Sequence, residues 1–190
     1  MGKMTEIRWH GRGGQGVVTA GKLLAEAALD LGQYFQAFPD YGPERMGAPI
    51  RAFTRLSDGP IDVHSQIDSP DVVIVLDPTV MGPMDVTEGL GEDGTVIINT
   101  PETPEEVRAR LDFQGGRVCT VDATRIAIEE MGREITNTPM LGAFARITGL
   151  FNLDELGAQI RHRFERKLSE KVIEANIRAM RRASEELQEG

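Results

Sequence analysis

The residues best placed to do chemistry stand together near the N-terminus, in Gly11-Arg12-Gly13-Gly14-Gln15-Gly16. Gly11, Gly13 and Gly16 make a G-x-G-x-x-G pattern between a short strand-like run at Ile7-Arg8-Trp9 and a helical pattern over Val17 to Leu31. That is the setting in which such glycines can cradle a phosphate. Glycine lets the turn tighten and brings the backbone close to a ligand, while unpaired N–H groups at a helix N-terminus favour an anion. Arg12 could add charge, or point to solvent or to another subunit. The pattern leaves a plainer reading open, in which the glycines only turn the chain. His10, at the mouth of the loop, could hydrogen-bond a ligand or be a satisfied structural histidine.

A nicotinamide dinucleotide site makes a further demand, an Asp or Glu at the end of the second strand to hold the ribose hydroxyls. That strand ends Gln36-Ala37-Phe38, with no acid before Asp40. The missing partner weakens an NAD(P)-dependent dehydrogenase reading without touching phosphate binding itself. Asp77 and Asp122 follow apolar runs at strand ends, where ligands collect in open α/β sheets; each could equally cap the turn that follows. His64 and His162 have no companions at ligand spacing, and no metal site is expected. Tyr41 has no partner that would make it a general acid, and no catalytic residue is assigned.

The elements that must position these residues alternate between strand and helix, the pattern of an α/β domain with a largely parallel sheet. After Gly32 ends the first helix in a left-handed cap, strands are expected over Tyr34 to Phe38 and Ile50 to Leu56. Another over Ile61 to Ile67 would run antiparallel to the latter, followed by central strands at Val72 to Leu76, Val96 to Ile98 and Val118 to Val121. Helices follow over Ala123 to Met131 and over Pro139 to Gly149, the second behind Thr138 as cap. Asn152 caps a third, and a last one spans roughly Glu165 to Gln188. There Leu168, Val172, Ala175, Ala179, Ala183 and Leu187 form an apolar stripe for the sheet or a partner chain. The expected architecture is a Rossmann-like sheet flanked by helices, with a C-terminal helical segment, in one domain over residues 1–190.

The chain has 190 residues, 21 basic and 30 acidic, for a formal net charge of -9. That balance speaks against nucleic acid, whose binding rests on clustered Lys and Arg. No apolar run reaches the roughly 18 residues of a membrane span. Cys119 is the one cysteine; in a strand-like context it reads as an inert core thiol, and alone it cannot ligate an iron–sulfur cluster. A reducing cytoplasm is the expected setting.

Two stretches together carry a family resemblance. Arg8 to Gly16, and then Gln36-Ala37-Phe38-Pro39-Asp40-Tyr41-Gly42-Pro43-Glu44-Arg45-Met46-Gly47-Ala48-Pro49, closely resemble the gamma subunit of 2-oxoacid:ferredoxin oxidoreductases of the pyruvate synthase type. The likeness continues through Ala52 to Arg55, Ser69 to Val72, Asp77-Pro78-Thr79, Val121 to Thr124 and Asn137 to Gly142. Met46 departs from it, where a second basic residue is expected in many relatives, which lowers the positive charge of that loop. The resemblance implies a subunit of an oxidoreductase that decarboxylates a 2-oxoacid, forms an acyl-coenzyme A and passes electrons to ferredoxin. It implies alpha, beta and delta partner subunits, with thiamine diphosphate and iron–sulfur clusters held by partners rather than by this chain. Gly91-Glu92-Asp93-Gly94 accordingly reads as a turn, not a thiamine motif. By the same analogy coenzyme A, a substrate, would meet the glycine loop, with Asn99 and Thr100 nearby. Tyr41, Glu44 and Arg45 would belong to a subunit interface, a role that aromatic and Arg side chains suit; the plainer reading of Glu44 and Arg45 is a surface pair worth little. A purely architectural subunit, with no ligand site, is the remaining alternative.

Overall fold

The computed structural model describes residues 3–40 and 47–190. In chain order its elements are β1 (Met4–Arg12), α1 (Val17–Asp30), β2 (Tyr34–Pro39), β3 (Pro49–Ser57) and β4 (Val72–Val75). A single 3-10 turn (Pro78–Met81) leads to β5 (Thr95–Asn99), α2 (Pro104–Leu111), β6 (Arg117–Val121) and α3 (Ala123–Met131). Then come α4 (Asn137–Thr148), α5 (Leu153–Phe164), α6 (Glu170–Glu186) and β7 (Gln188–Glu189). The strands form one sheet in the order β2-β3-β1-β4-β5-β6-β7. Its middle, β1-β4-β5-β6, is parallel. Both wings are antiparallel, the β2–β3 hairpin on one side and β7 on the other.

Strands β4 and β5 are nearly continuous apolar runs because both faces are covered. On one face Ile7, Trp9, Ile74, Ile97 and Cys119 pack into a large core with apolar residues of α1, α3, α4, α5 and α6. On the other, Val73, Val75, Val96, Ile98 and Val118 meet a smaller one containing Val107 of α2 with Val80 and Val86. Cys119 is fully buried in β6, and burial pushes its thiol up to about 11.

Three local expectations are revised. Residues Ile61 to Ile67 form no strand. Their carbonyls turn toward side chains of the hairpin instead: Gln36 Nε2 donates to Ile61 O, and Arg55 donates to Val63 O and Gln66 O. The helix expected from Pro139 begins at Asn137 behind Thr136, so Pro139 sits at its third position, still in the first turn, where an N–H has no intrahelical acceptor. The last helix, expected from about Glu165, starts at Glu170. Lys167 N and Leu168 N both donate to Phe164 O, which closes α5, and extended Ser169 restarts the chain as α6. Of its expected apolar stripe, Ala175, Ala179, Ala183 and Leu187 are buried, while Leu168, ahead of α6, and Val172, in its first turn, are exposed.

Helices α4 and α6 run side by side in the same direction. Thr138 Oγ1 donates to Asn176 Oδ1 (2.9 Å), Gly142 lies against the Met180 carbonyl, and Arg146 donates to Ser184 O (3.3 Å). Each contact is four residues beyond the last on both helices, about one turn. A Cβ at Gly142 would collide with the Met180 carbonyl oxygen, which is backbone and cannot swing aside. Gly142→Ala should therefore destabilise the fold by about 1–3 kcal/mol through overpacking, which a denaturant melt of the variant beside wild type will measure.

Candidate functional site

Strands β1 and β4 are parallel neighbours whose chains leave in opposite directions along the sheet, toward the hairpin and toward β5. Ligands of open α/β sheets bind at such a switch point. The glycine loop after β1 and Leu76 to Thr79 after β4 meet there. A Cβ at Gly11 would lie 2.6 Å from Val17 Cγ2, and one at Gly16 would lie 2.7 Å from Asn137 Nδ2. Gly16 also takes the left-handed conformation, φ 79°, as it starts α1 with no side-chain cap. Ala20 makes the first intrahelical bond, to Gly16 O, so the amides before it point beyond the helix end.

The loop's side chains are occupied within the chain. Gln15 folds back, its Oε1 accepting from Arg12 N (2.7 Å) and its Nε2 donating to Asp77 Oδ2 (2.7 Å). Arg12 donates to Thr79 Oγ1 (2.8 Å) and Gly47 O (3.0 Å) and lies 3.5 Å from Asp77. Gly13 exchanges backbone bonds with Gly47 and Ala48. Burial raises the Asp77 carboxyl, but hydrogen bonds from Thr79 and Gln15 and the Arg12 charge outweigh it and hold its pKa below the ordinary value. Asp77 also caps the 3-10 turn through Thr79 N, as Asp122 caps α3 through Arg125 N.

Asn99 and Thr100 do not join the loop. Asn99 ends β5 and Thr100 follows it, two strands from β1 and so about 10 Å across the sheet. Asn99 Nδ2 donates to Leu76 O and Thr124 Oγ1, and its Oδ1 accepts from Thr124 N. Thr100 lines a separate cleft with Asp122, Arg125 and Gln188. Gly14, Gln15 and Gly16 instead border a cavity of about 520 Å³ on the α6 side, which Asn137 and Val172 also line. The inward placing of Asn137 has no short-range signal in the sequence beyond a polar residue before Thr138-Pro139. Tyr41, Glu44 and Arg45, expected at an interface, lie outside the described residues.

The dinucleotide reading meets a further obstacle. Strand β3 stands between β1 and β2, so the end of β2 is not beside the glycine loop. The acid there, Asp40, pairs with Arg51 at 2.8 Å.

Residues 6–186 match the family model for pyruvate ferredoxin/flavodoxin oxidoreductase. The chain belongs to this family. It is a gamma subunit of the 2-oxoacid:ferredoxin oxidoreductase kind. It is 51% identical over 185 residues to pyruvate synthase subunit PorC of Thermotoga maritima, covering 97% of this chain and 95% of that one. Over 185 residues it is 50% identical to the pyruvate/ketoisovalerate oxidoreductases common subunit gamma of Pyrococcus abyssi, covering 97% and 98%. The crystal structure of a Thermotoga maritima pyruvate oxidoreductase subunit superimposes with a TM-score of 0.88, at 47% identity and 99% coverage of both chains.

In this family member two polar groups of β1 face the smaller core. Arg8, 2% exposed, donates to His10 Nε2 (3.0 Å), Val86 O (3.1 Å) and Glu88 O (2.5 Å). That fixes the His10 proton on Nδ1, which is buried without a partner among the described residues. Burial, then the charges of Arg8 and Arg51, push the imidazole down to about 3. The unfolded chain, whose histidine titrates near 6.5, therefore binds the extra proton first as pH falls. Stability from His10 is complete above about pH 6.5 and is lost as pH drops toward 3, by at most about 1.4 kcal/mol per pH unit. Denaturant melts between these limits should show a shallower pH slope for His10→Asn than for wild type.

Gln15→Glu tests the loop closure. The carboxylate can still accept from Arg12 N but faces Asp77 where the amide donated. A loss of about 1–3 kcal/mol is expected at pH 7, shrinking below about pH 4 as one carboxyl takes up a proton; melts at the two pH values measure it.

Proposed function

We propose that this gamma subunit works beside alpha, beta and delta subunits in a cytoplasmic enzyme. That enzyme oxidatively decarboxylates a 2-oxoacid, pyruvate foremost, forms the acyl-coenzyme A and passes electrons to ferredoxin. The observation that carries the reading is end-to-end identity of about half with subunits named for pyruvate synthase. The Pyrococcus abyssi relative is named as common to pyruvate and ketoisovalerate oxidoreductases, which supports placing the choice of 2-oxoacid on other chains.

The residues present do not fit the redox and thiamine chemistry, which we place on the partners. One fully buried thiol with a raised pKa cannot hold a cluster, and no group of three potential metal ligands occurs among the described residues. Coenzyme A fits better. The amides of Gly14 and Gly16 and of the first turn of α1 suit one of its phosphates, while Gln15 N already donates to Arg12 O and the Arg12 and Gln15 side chains hold the loop rigid. Thr100 lines a separate cleft, and the Asn99 side chain is bonded to Leu76 and Thr124. An architectural role is the second reading, favoured by the internal engagement of Arg12, Gln15 and Asn99.

Calorimetry with coenzyme A separates the two. The subunit role predicts that a complex reconstituted without this chain loses coenzyme A-dependent ferredoxin reduction by pyruvate. The coenzyme A site predicts at least about tenfold weaker binding in Gly14→Ala, whose backbone sits at φ 94° with open space around the missing Cβ. Unchanged affinity in the folded variant would leave the architectural reading.

A further inference from the structure

The cavity beside the glycine loop has a composition that the loop alone does not account for. Three helices begin around it. Gly16 precedes the first turn of α1, Asn137 is the first residue of α4, and Val172 lies in the first turn of α6. Because α4 and α6 run parallel, their N-termini arrive at the same end, and the partial positive charges of three helix starts add there. Arg133 and Glu134 also reach the lining and offset each other.

A second observation points to a ligand. Asn137 is 6% exposed. Its Oδ1 accepts from Thr138 N (3.0 Å), which fixes the amide nitrogen on the other side, against Gly16. That Nδ2 donates to no acceptor among the described residues, in a side chain lining the cavity. The nitrogen is open to the cavity, so an acceptor bound there can take up this donor. Thr19 and Asn176 add polar groups, while Met131, Ile135, Phe164, Leu168 and Val172 make an apolar side of the wall; Ile135, Leu168 and Val172 are among the large apolar side chains that the surface leaves exposed.

We propose that this cavity binds an amphipathic anion, a phosphate monoester with an aliphatic body. The phosphate meets the α1 amides and Asn137 Nδ2, and the chain lies along Ile135, Phe164, Leu168 and Val172. This rests on the reading of the glycine turn as an anion site and goes further, assigning Asn137 and the C-terminal helices to the ligand.

The probe is hexyl phosphate, titrated calorimetrically into the full chain, with inorganic phosphate and coenzyme A in parallel. Asn137→Asp is isosteric, keeps the acceptor for Thr138 N and replaces the donor by a negative oxygen. Val172→Glu puts a carboxylate in the apolar wall three residues after Ser169, where it can complete a capping box and keep α6 stable. Hexyl phosphate should bind wild type, at least about tenfold more weakly to either folded variant, and inorganic phosphate should bind at least about tenfold more weakly than hexyl phosphate. No binding of hexyl phosphate, unchanged binding in both variants, or equal binding of inorganic phosphate would overturn the proposal. Coenzyme A binding without hexyl phosphate binding overturns it and leaves the coenzyme A reading standing. Hexyl phosphate binding lost in Asn137→Asp, with no coenzyme A binding, upholds the cavity and removes coenzyme A as its occupant.

Discussion

Two missing Cβ atoms set how closely β1, α1 and α4 approach one another. At Gly11 the strand passes against Val17, and at Gly16 the start of α1 passes against Asn137. Any side chain at either point would push a helix outward and open the turn. With the backbone this tight, the Gln15 carboxamide is long enough to reach both the Arg12 amide and the Asp77 carboxylate. The crevice between β1 and β4 is thereby closed by the chain itself, and the free amides of α1 face the α6 side instead. The glycines thus act twice, once as packing requirements and once as the reason the helix end stays uncovered.

The second face of the β1–β3–β2 wing is organised by buried charge alongside the Phe38–Phe53 contact. Arg55 is fully buried, paired with Glu6 at 2.7 Å, and lies over the Phe38 ring at 5.6 Å. Arg8 is buried with carbonyls and His10 as partners. Buried guanidinium groups need every donor matched, and these two draw the carbonyls of Val63, Gln66, Val86 and Glu88 inward. Irregular loops can then cover a sheet that a helix would otherwise have to cover, because side chains supply the hydrogen bonds a ladder would have made.

The parallel middle of the sheet was legible because Val72 to Leu76, Val96 to Ile98 and Val118 to Val121 are apolar runs with turn residues behind them. The signal for α2 was also present, in Thr103-Pro104 with Glu106 completing a capping box, but its low apolar content hid it. Residues 61–67 misled because Ile61, Val63 and Ile67 mimic strand alternation while the competing donor, Arg55, lies outside the segment. At the site, the glycine pattern located the turn, but not which way its side chains fold. Gln15 meets Asp77 across 62 residues, and Gly16 meets Asn137 across the chain. Neither long-range pairing leaves a local trace, and the family analogy that set Asn99 and Thr100 near the loop carries no distance.

The parallel pair of α4 and α6 has a mechanical consequence. Its contacts repeat every four residues on both helices, and at Gly142 the fit admits no side chain. A slide of α6 by one turn, about 5.4 Å, would carry the Met180 carbonyl against Thr138 or Arg146, each of which has the Cβ that Gly142 lacks. The pair therefore behaves as a detent, holding the distance between Asn137 and Val172 to one value and offering no graded adjustment around it.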